Sequence, residues 1–146
     1  MKISKKTQYA LRALIEFTHH HGRTPLLRRD IAQKQHIPLP FLEHILLTLK
    51  HAGLLASHRG VRGGYSLIKQ PREITLGQVI RMMDGPLAPI PCVSRTAYQK
   101  CRDCPYAKTD DCPLQDVMRK VRNAIVGILD HYTLKDFTEM KAFPRA

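Results

Sequence analysis

The chain has 146 residues, 43% of them hydrophobic and 6% aromatic, with a formal net charge of +12. That length suits one small domain with an appended dimerisation element, and a core that folds without disulfide staples. No charged start followed by an apolar run marks a secretory signal, and no apolar stretch approaches the ~20 residues of a membrane span. A cytoplasmic protein without membrane partners is therefore expected.

The positive charge is uneven. Residues 1–66 carry 11 Lys and Arg against 3 Asp and Glu, a net of +8, whereas 67–91 and 92–146 carry only +1 and +3. An electropositive N-terminal half suits nucleic acid, and equally a solvated basic surface.

In the first segment, ISKKTQYALRALIEFTHHHG, Tyr9, Ala10, Ala13, Leu14 and Phe17 fall at helical spacing, with Ser4 as N-cap and Gly22 as a stop. Next, LLRRDIAQKQHIP places Leu27, Ile31 and Ala32 on one face of a short helix that ends before Pro38. In FLEHILLTLKHAGLL, a stripe of Leu42, Ile45, Leu46 and Leu49 predicts another helix, ended by Gly53. Two short helices joined by a tight turn predict a helix-turn-helix over about 28–51. On the face opposite Leu42 and Leu49 stand Glu43, His44 and Leu47, which are base-edge candidates or simple solvent-facing surface.

LLASHRGVRGGYSLIKQP then reads as two strand-like runs around a Gly- and Arg-rich tip, a hairpin over about 54–68. A hairpin directly after a helix-turn-helix predicts a winged helix; the alternative is an ordinary surface hairpin. Arg59 and Arg62 flank the tip, positioned for a minor groove. The DNA-contacting set expected is Pro40, Glu43, His44, Arg59, Arg62 and Tyr65.

Val79, Ile80 and Met83 predict a helix in TLGQVIRMMDG, which the three prolines of PLAPIP cannot continue. Beyond the cysteines, PLQDVMRKVRNAIVGILDHY spaces apolar residues by three and four from Leu114 to Tyr132. That is about 20 residues, or ~30 Å at 1.5 Å per residue. Such a helix is too long and too apolar to be satisfied by so small a winged helix. A second subunit is expected to cover Leu114, Val117, Val121, Ile125 and Leu129.

The predicted fold class is mainly α with a small β-wing. A winged helix-turn-helix fills 1–70, a connecting helix and Pro-rich loop 71–91, and a cysteine loop 92–112. A dimerisation helix follows over 113–132, then a C-terminal segment over 133–146.

All four cysteines, Cys92, Cys101, Cys104 and Cys112, lie within that one loop, spaced Cys-x8-Cys-x2-Cys-x7-Cys. In a reducing compartment such clustering points to a metal site or redox-active thiols rather than structural bridges. Four thiolates can saturate zinc, a [2Fe–2S] or a [4Fe–4S] cluster. Pro105 and Pro113 follow Cys104 and Cys112, and Cys112 stands at the positive end of the long helix. Arg102 and Lys100 are near enough in sequence to offset a thiolate cluster's charge. Zinc, having no redox response, would make the loop structural; thiol or disulfide switching is the third reading. The run His19, His20, His21 is no metal site, because successive helical residues point about 100° apart.

The opening KISKKTQYALRAL, the block IPLPFLEHILLTLKHAGLL, the wing HRGVRGGYSL, the helix TLGQVIRMMDGPL and the cysteine loop together resemble the bacterial winged-helix regulators of the IscR, NsrR and CymR type, over roughly residues 1–137. The resemblance implies a homodimeric transcription factor on a pseudo-palindromic double-stranded operator, with an iron–sulfur cluster in the cysteine loop of many members. It implies a base-facing role for Glu43 and a minor-groove role for Arg59. Relatives often carry Ser at the positions of Pro38 and Pro40, so a different operator preference is expected. Their three-cysteine loops correspond to Cys92, Cys112 and a middle ligand that is either Cys101 or Cys104. Some have a histidine where this chain has Gln115, a poor iron ligand; the extra cysteine would replace it, Gln8 or Tyr9 being weaker alternatives. A ferredoxin-like electron-transfer protein would need the cluster but not the basic winged helix. No Gly-rich phosphate loop, nucleophile elbow or convincing carboxylate pair suggests an enzyme.

Overall fold

A computed structural model describes residues 1–140; the last part of the C-terminal segment, 141–146, lies outside the described residues. Helix α1 (Lys5–His19) begins where Ser4 Oγ accepts the Thr7 amide at 3.1 Å, the cap expected from the sequence. Its Ala10, Ala13, Leu14 and Phe17 are buried, the three-and-four spacing turned inward. Helices α2 (Arg28–Gln35) and α3 (Leu39–His51) are joined by a turn whose His36 takes a left-handed conformation at φ 51°. Pro38 caps α3 and Pro40 sits in its first turn, where a missing N–H costs nothing because no intrahelical partner exists there.

Strands β1 (Leu55–His58) and β2 (Gly64–Leu67) pair antiparallel, with Leu55 opposite Leu67. Tyr65 exchanges backbone hydrogen bonds of 2.8 and 2.9 Å with Leu26, which ties the wing to the start of α2. Gly64, at φ 132°, is what allows this approach, since a Cβ there would collide with the Leu26 carbonyl. Leu27, expected on the core face of α2, is instead its N-cap and 49% exposed. The helix starts one residue later than the apolar spacing suggested, so Leu27 falls outside its periodicity.

Helix α4 (Leu76–Asp84) packs beside α5 (Pro113–His131), which at 19 residues is about 28 Å long. Gly77 makes the contact close: a Cβ would strike Asp130 Oδ1. Arg81 grips the same Asp130 with two hydrogen bonds of 2.8 Å. Sequence reading left 133–146 without an element, but α6 (Leu134–Glu139) turns back onto α1, and Leu134 is fully buried. A capping box between Thr133 and Asp136 starts it, and Leu134 N donates to the Ile74 carbonyl at 2.9 Å. Ile74, Val79 and Leu134 therefore share one core with Leu14, Phe17 and Leu46.

Candidate DNA interface and cysteine site

Leu42, Ile45, Leu46 and Leu49 anchor α3 in the core, leaving Glu43, His44 and Leu47 exposed on its outer face. Pro40 and the 61% exposed Phe41 open the same face. Glu43 Oε1 meets Arg28 Nε at 3.3 Å, both side chains about half exposed. An ion pair of that kind contributes roughly 0–1 kcal/mol, so it orders Glu43 without committing it. Arg59 and Arg62 are exposed at the wing tip on either side of Val61, which is fully exposed.

Tyr65 behaves differently: it is half-buried and packed against the core, with its edge on a groove. That groove, about 410 Å³, runs between the wing and the start of α2 and is lined by Arg28, Arg29, His58, Gly60 and Gly64 among others. The first N–H groups of α2 have no side-chain cap, and its first turn carries both arginines. Uncapped amides and cations together favour an anion. Arg28 and Arg29 escaped the sequence reading, although an Arg-Arg pair opening a helix was the available signal.

The cysteines are free thiols. Cys92 sits in a one-turn 3-10 helix (Pro91–Val93) and is 8% exposed. Burial pushes its thiol up, and the nearby Cys101 and Cys112 push it further. Cys112 is the N-cap of α5. Cys104 turns its Sγ toward the Tyr106 carbonyl at 3.8 Å. Cys101, Cys104 and Cys112 line a cavity of about 480 Å³ with Pro105, Tyr106 and Pro113. Cys101 and Cys112 thus belong both to the group around Cys92 and to the cavity wall. Among the described residues, no three His, Cys, Asp or Glu side chains stand at metal-binding spacing.

Helix α5 holds this loop by its main chain. Gln115, 3% exposed, donates from Nε2 to the Cys92 carbonyl at 3.1 Å. Arg119 donates to Gln115 Oε1 and to Asp110 Oδ1, both at 2.9 Å. Arg122 Nη1 donates to the Val93 carbonyl at 2.6 Å. Gln115 is therefore a brace for the loop, with both ends of its amide engaged in these bonds. On the outer side of α5, Leu114, Val117, Val121 and Ile128 are exposed. With Ala124 they repeat at three and four residues, the spacing of a coiled-coil seam. Ile125 and Leu129, expected within the same stripe, are half-buried.

The Rrf2 family model, described as an iron-dependent transcriptional regulator, matches residues 3–140. An rrf2-like HTH-type transcriptional regulator of Rhodobacter capsulatus is 42% identical over 92% of this chain and 90% of its own length. The HTH-type regulator CymR of Bacillus subtilis is 33% identical over 93% of this chain and 88% of its own. The solved structure of that CymR, the global cysteine regulator of B. subtilis, superposes with a TM-score of 0.78 at 31% identity, covering 97% and 99% of the two chains. That of T. potens IscR gives 0.74 at 28% identity, covering 100% and 93%.

Proposed function

This chain belongs to the Rrf2 family of DNA-binding transcriptional regulators, which are not enzymes, and on that premise we propose that it reads a pseudo-palindromic operator as a homodimer under control of its cysteine loop. In this reading Glu43 and His44 meet base edges in the major groove, and Arg59 and Arg62 reach the minor groove. Arg28, Arg29 and the open start of α2 hold a backbone phosphate between them. The exposed seam of α5 packs on its counterpart, setting half-site centres about one helical turn apart, roughly 34 Å.

In this reading Cys92 and Cys112 hold an iron–sulfur cluster of [2Fe–2S] or [4Fe–4S] type together with Cys101 and Cys104, of which we take Cys101 as the essential middle ligand and Cys104 as the fourth donor. The donor chemistry supports this reading: Cys101, Cys104 and Cys112 line one cavity and Cys92 belongs to the same loop, although the thiols do not stand at metal-binding spacing among the described residues. Bound there, a cluster supplies a centre that oxidants and nitric oxide can dismantle. The chain's own part is mechanical. Gln115 and Arg122 fasten the backbone of Cys92 and Val93 to α5, so a change at the sulfurs is felt by the helix that spaces the reading heads. That pair of bonds is the observation that carries the proposal. The four free thiols and the similarity to CymR support a second reading, a thiol switch without metal, and zinc is a third.

Anaerobic purification with iron and acid-labile sulfide analysis tests the ligand assignment. Brown protein is expected, with colour lost in Cys92→Ala, Cys101→Ala and Cys112→Ala and only weakened in Cys104→Ala. Colourless protein holding one zinc per chain would overturn the cluster and leave the DNA-binding reading intact.

A further inference from the structure

Arg122 raises a separate question. It is 9% exposed and makes no ion pair among the described residues. Its Nη1 donates to the Val93 carbonyl at 2.6 Å, and its Nε and Nη2 donate to Asn123 Oδ1 at 3.1 and 2.6 Å. All these acceptors are neutral, and a guanidinium carries five N–H donors, so the charge and two of the donors stay uncompensated. Burial of the guanidinium pushes Arg122 down from its ordinary value, and Arg95 and Arg119 push it further.

The same side chain lines a cavity of about 160 Å³ with Arg81, Ser94, Arg95, Thr96 and Asp130. Three guanidiniums face one carboxylate, and both oxygens of that carboxylate are held by Arg81 at 2.8 Å. The lining thus carries a formal charge of +2, three cations less one anion. Ser94 Oγ accepts from the Ala97 amide at 3.0 Å, which leaves its O–H as a donor. Buried cations are normally paired, and among the described residues no carboxylate pairs with Arg122.

We infer that this cavity binds a small oxyanion of the phosphate or sulfate class between Arg95 and Arg122, with the Ser94 and Thr96 hydroxyls as further donors. Its volume decides the size of the ligand, because pockets for drug-sized molecules and cofactors run to about 300–1,000 Å³. A nucleotide does not fit. The location is also separate from both surfaces already described. At 100° per residue, Arg122 and Val126 lie roughly 120–160° around α5 from the centre of its exposed seam. Bound there, the anion bridges the chain just after Cys92 to α5, alongside the bonds from Gln115 and Arg122.

Equilibrium dialysis of the full-length protein with radiolabelled inorganic phosphate, at constant ionic strength in chloride, tests this. One phosphate per chain is expected to bind saturably, with sulfate competing. Arg95→Ala, a substitution of an exposed side chain, is expected to weaken binding at least tenfold, and Arg122→Gln to abolish it. Should Arg122→Gln fail to fold, Arg95→Ala decides alone. Absence of saturable binding overturns the proposal. So does loss of binding in Arg28→Ala with retention in Arg95→Ala, which would put the phosphate in the groove at the start of α2.

Discussion

Single side chains decide whether the wing reads DNA and whether the loop is held. Arg59 is exposed at the wing tip with no acid partner among the described ion pairs, so its charge is free for phosphate or a narrow minor groove. Arg59→Ala is expected to cost about 1–3 kcal/mol at an A·T-rich position, measured by fluorescence anisotropy, the usual range for losing one specific contact. Removing phosphate contacts at Arg28 and Arg29 is expected instead to flatten the slope of affinity against salt, because fewer counterions are released. Gly64→Ala tests the seating of the wing. A side chain at φ 132° would collide with the Leu26 carbonyl, and a loss of at least about 1–3 kcal/mol in urea unfolding is expected. The placement of these residues was legible in advance: Arg59 at the wing tip, Glu43 on the outer face of α3 and the cysteines in one loop follow from motif and spacing. Gln115 did not, because a glutamine in a helix carries no signal until its partner, the Cys92 carbonyl 23 residues away, is known.

Among the elements, α5 carries the most weight, and its two faces do different work. The inner face fastens the cysteine loop and docks on α4; the outer face offers Leu114, Val117, Val121, Ala124 and Ile128. Val121→Glu with Ile128→Glu is expected to give monomers on a sizing column and to abolish operator binding while helical circular dichroism persists. A double mutant that stays dimeric would move the interface elsewhere. Gly77→Ala is expected to displace the Asp130 carboxylate and loosen its grip by Arg81, since the methyl group would take the space of Asp130 Oδ1, read as a small loss of stability in urea unfolding. The apolar spacing of α1, α3 and α5 was readable because each buries a long stripe. It did not tell which residues of α5 are most exposed: Ile125 and Leu129 fit the same periodicity as Ile128, yet they are half-buried where Ile128 is exposed. Helix α6 was missed because six residues with one fully buried apolar anchor, Leu134, give no period to read. Thr133 and Asp136, spaced as a capping box, were the one available clue.

At the scale of the whole molecule, two carboxylates tie distant segments together. Asp130 is held below its usual range by the Arg81 hydrogen bonds, against burial, and joins α5 to α4. Burial opposes ionisation of Asp84, but hydrogen bonds from Ser4 outweigh it and hold that carboxyl low, joining α4 to the start of α1. A depressed carboxylate stabilises the fold above its unfolded value, near 4, and loses that contribution as pH falls through its folded value. Stability is therefore expected to drop below about pH 4, by no more than roughly 1 kcal/mol per pair because both are partly exposed. Asp130→Asn is expected to remove part of that drop in urea titrations at pH 7 and pH 3. The same connectivity underlies the central claim, that the state of the cysteine loop reaches the DNA-reading surfaces through α5. Its most direct test is the affinity of anaerobic, iron-loaded protein and of iron-stripped, reduced protein for one duplex obtained by in vitro selection, at fixed salt. The account predicts dissociation constants at least tenfold apart, about 1.4 kcal/mol, with the gap collapsing in Gln115→Leu. Equal affinities for loaded and stripped wild-type protein would contradict it.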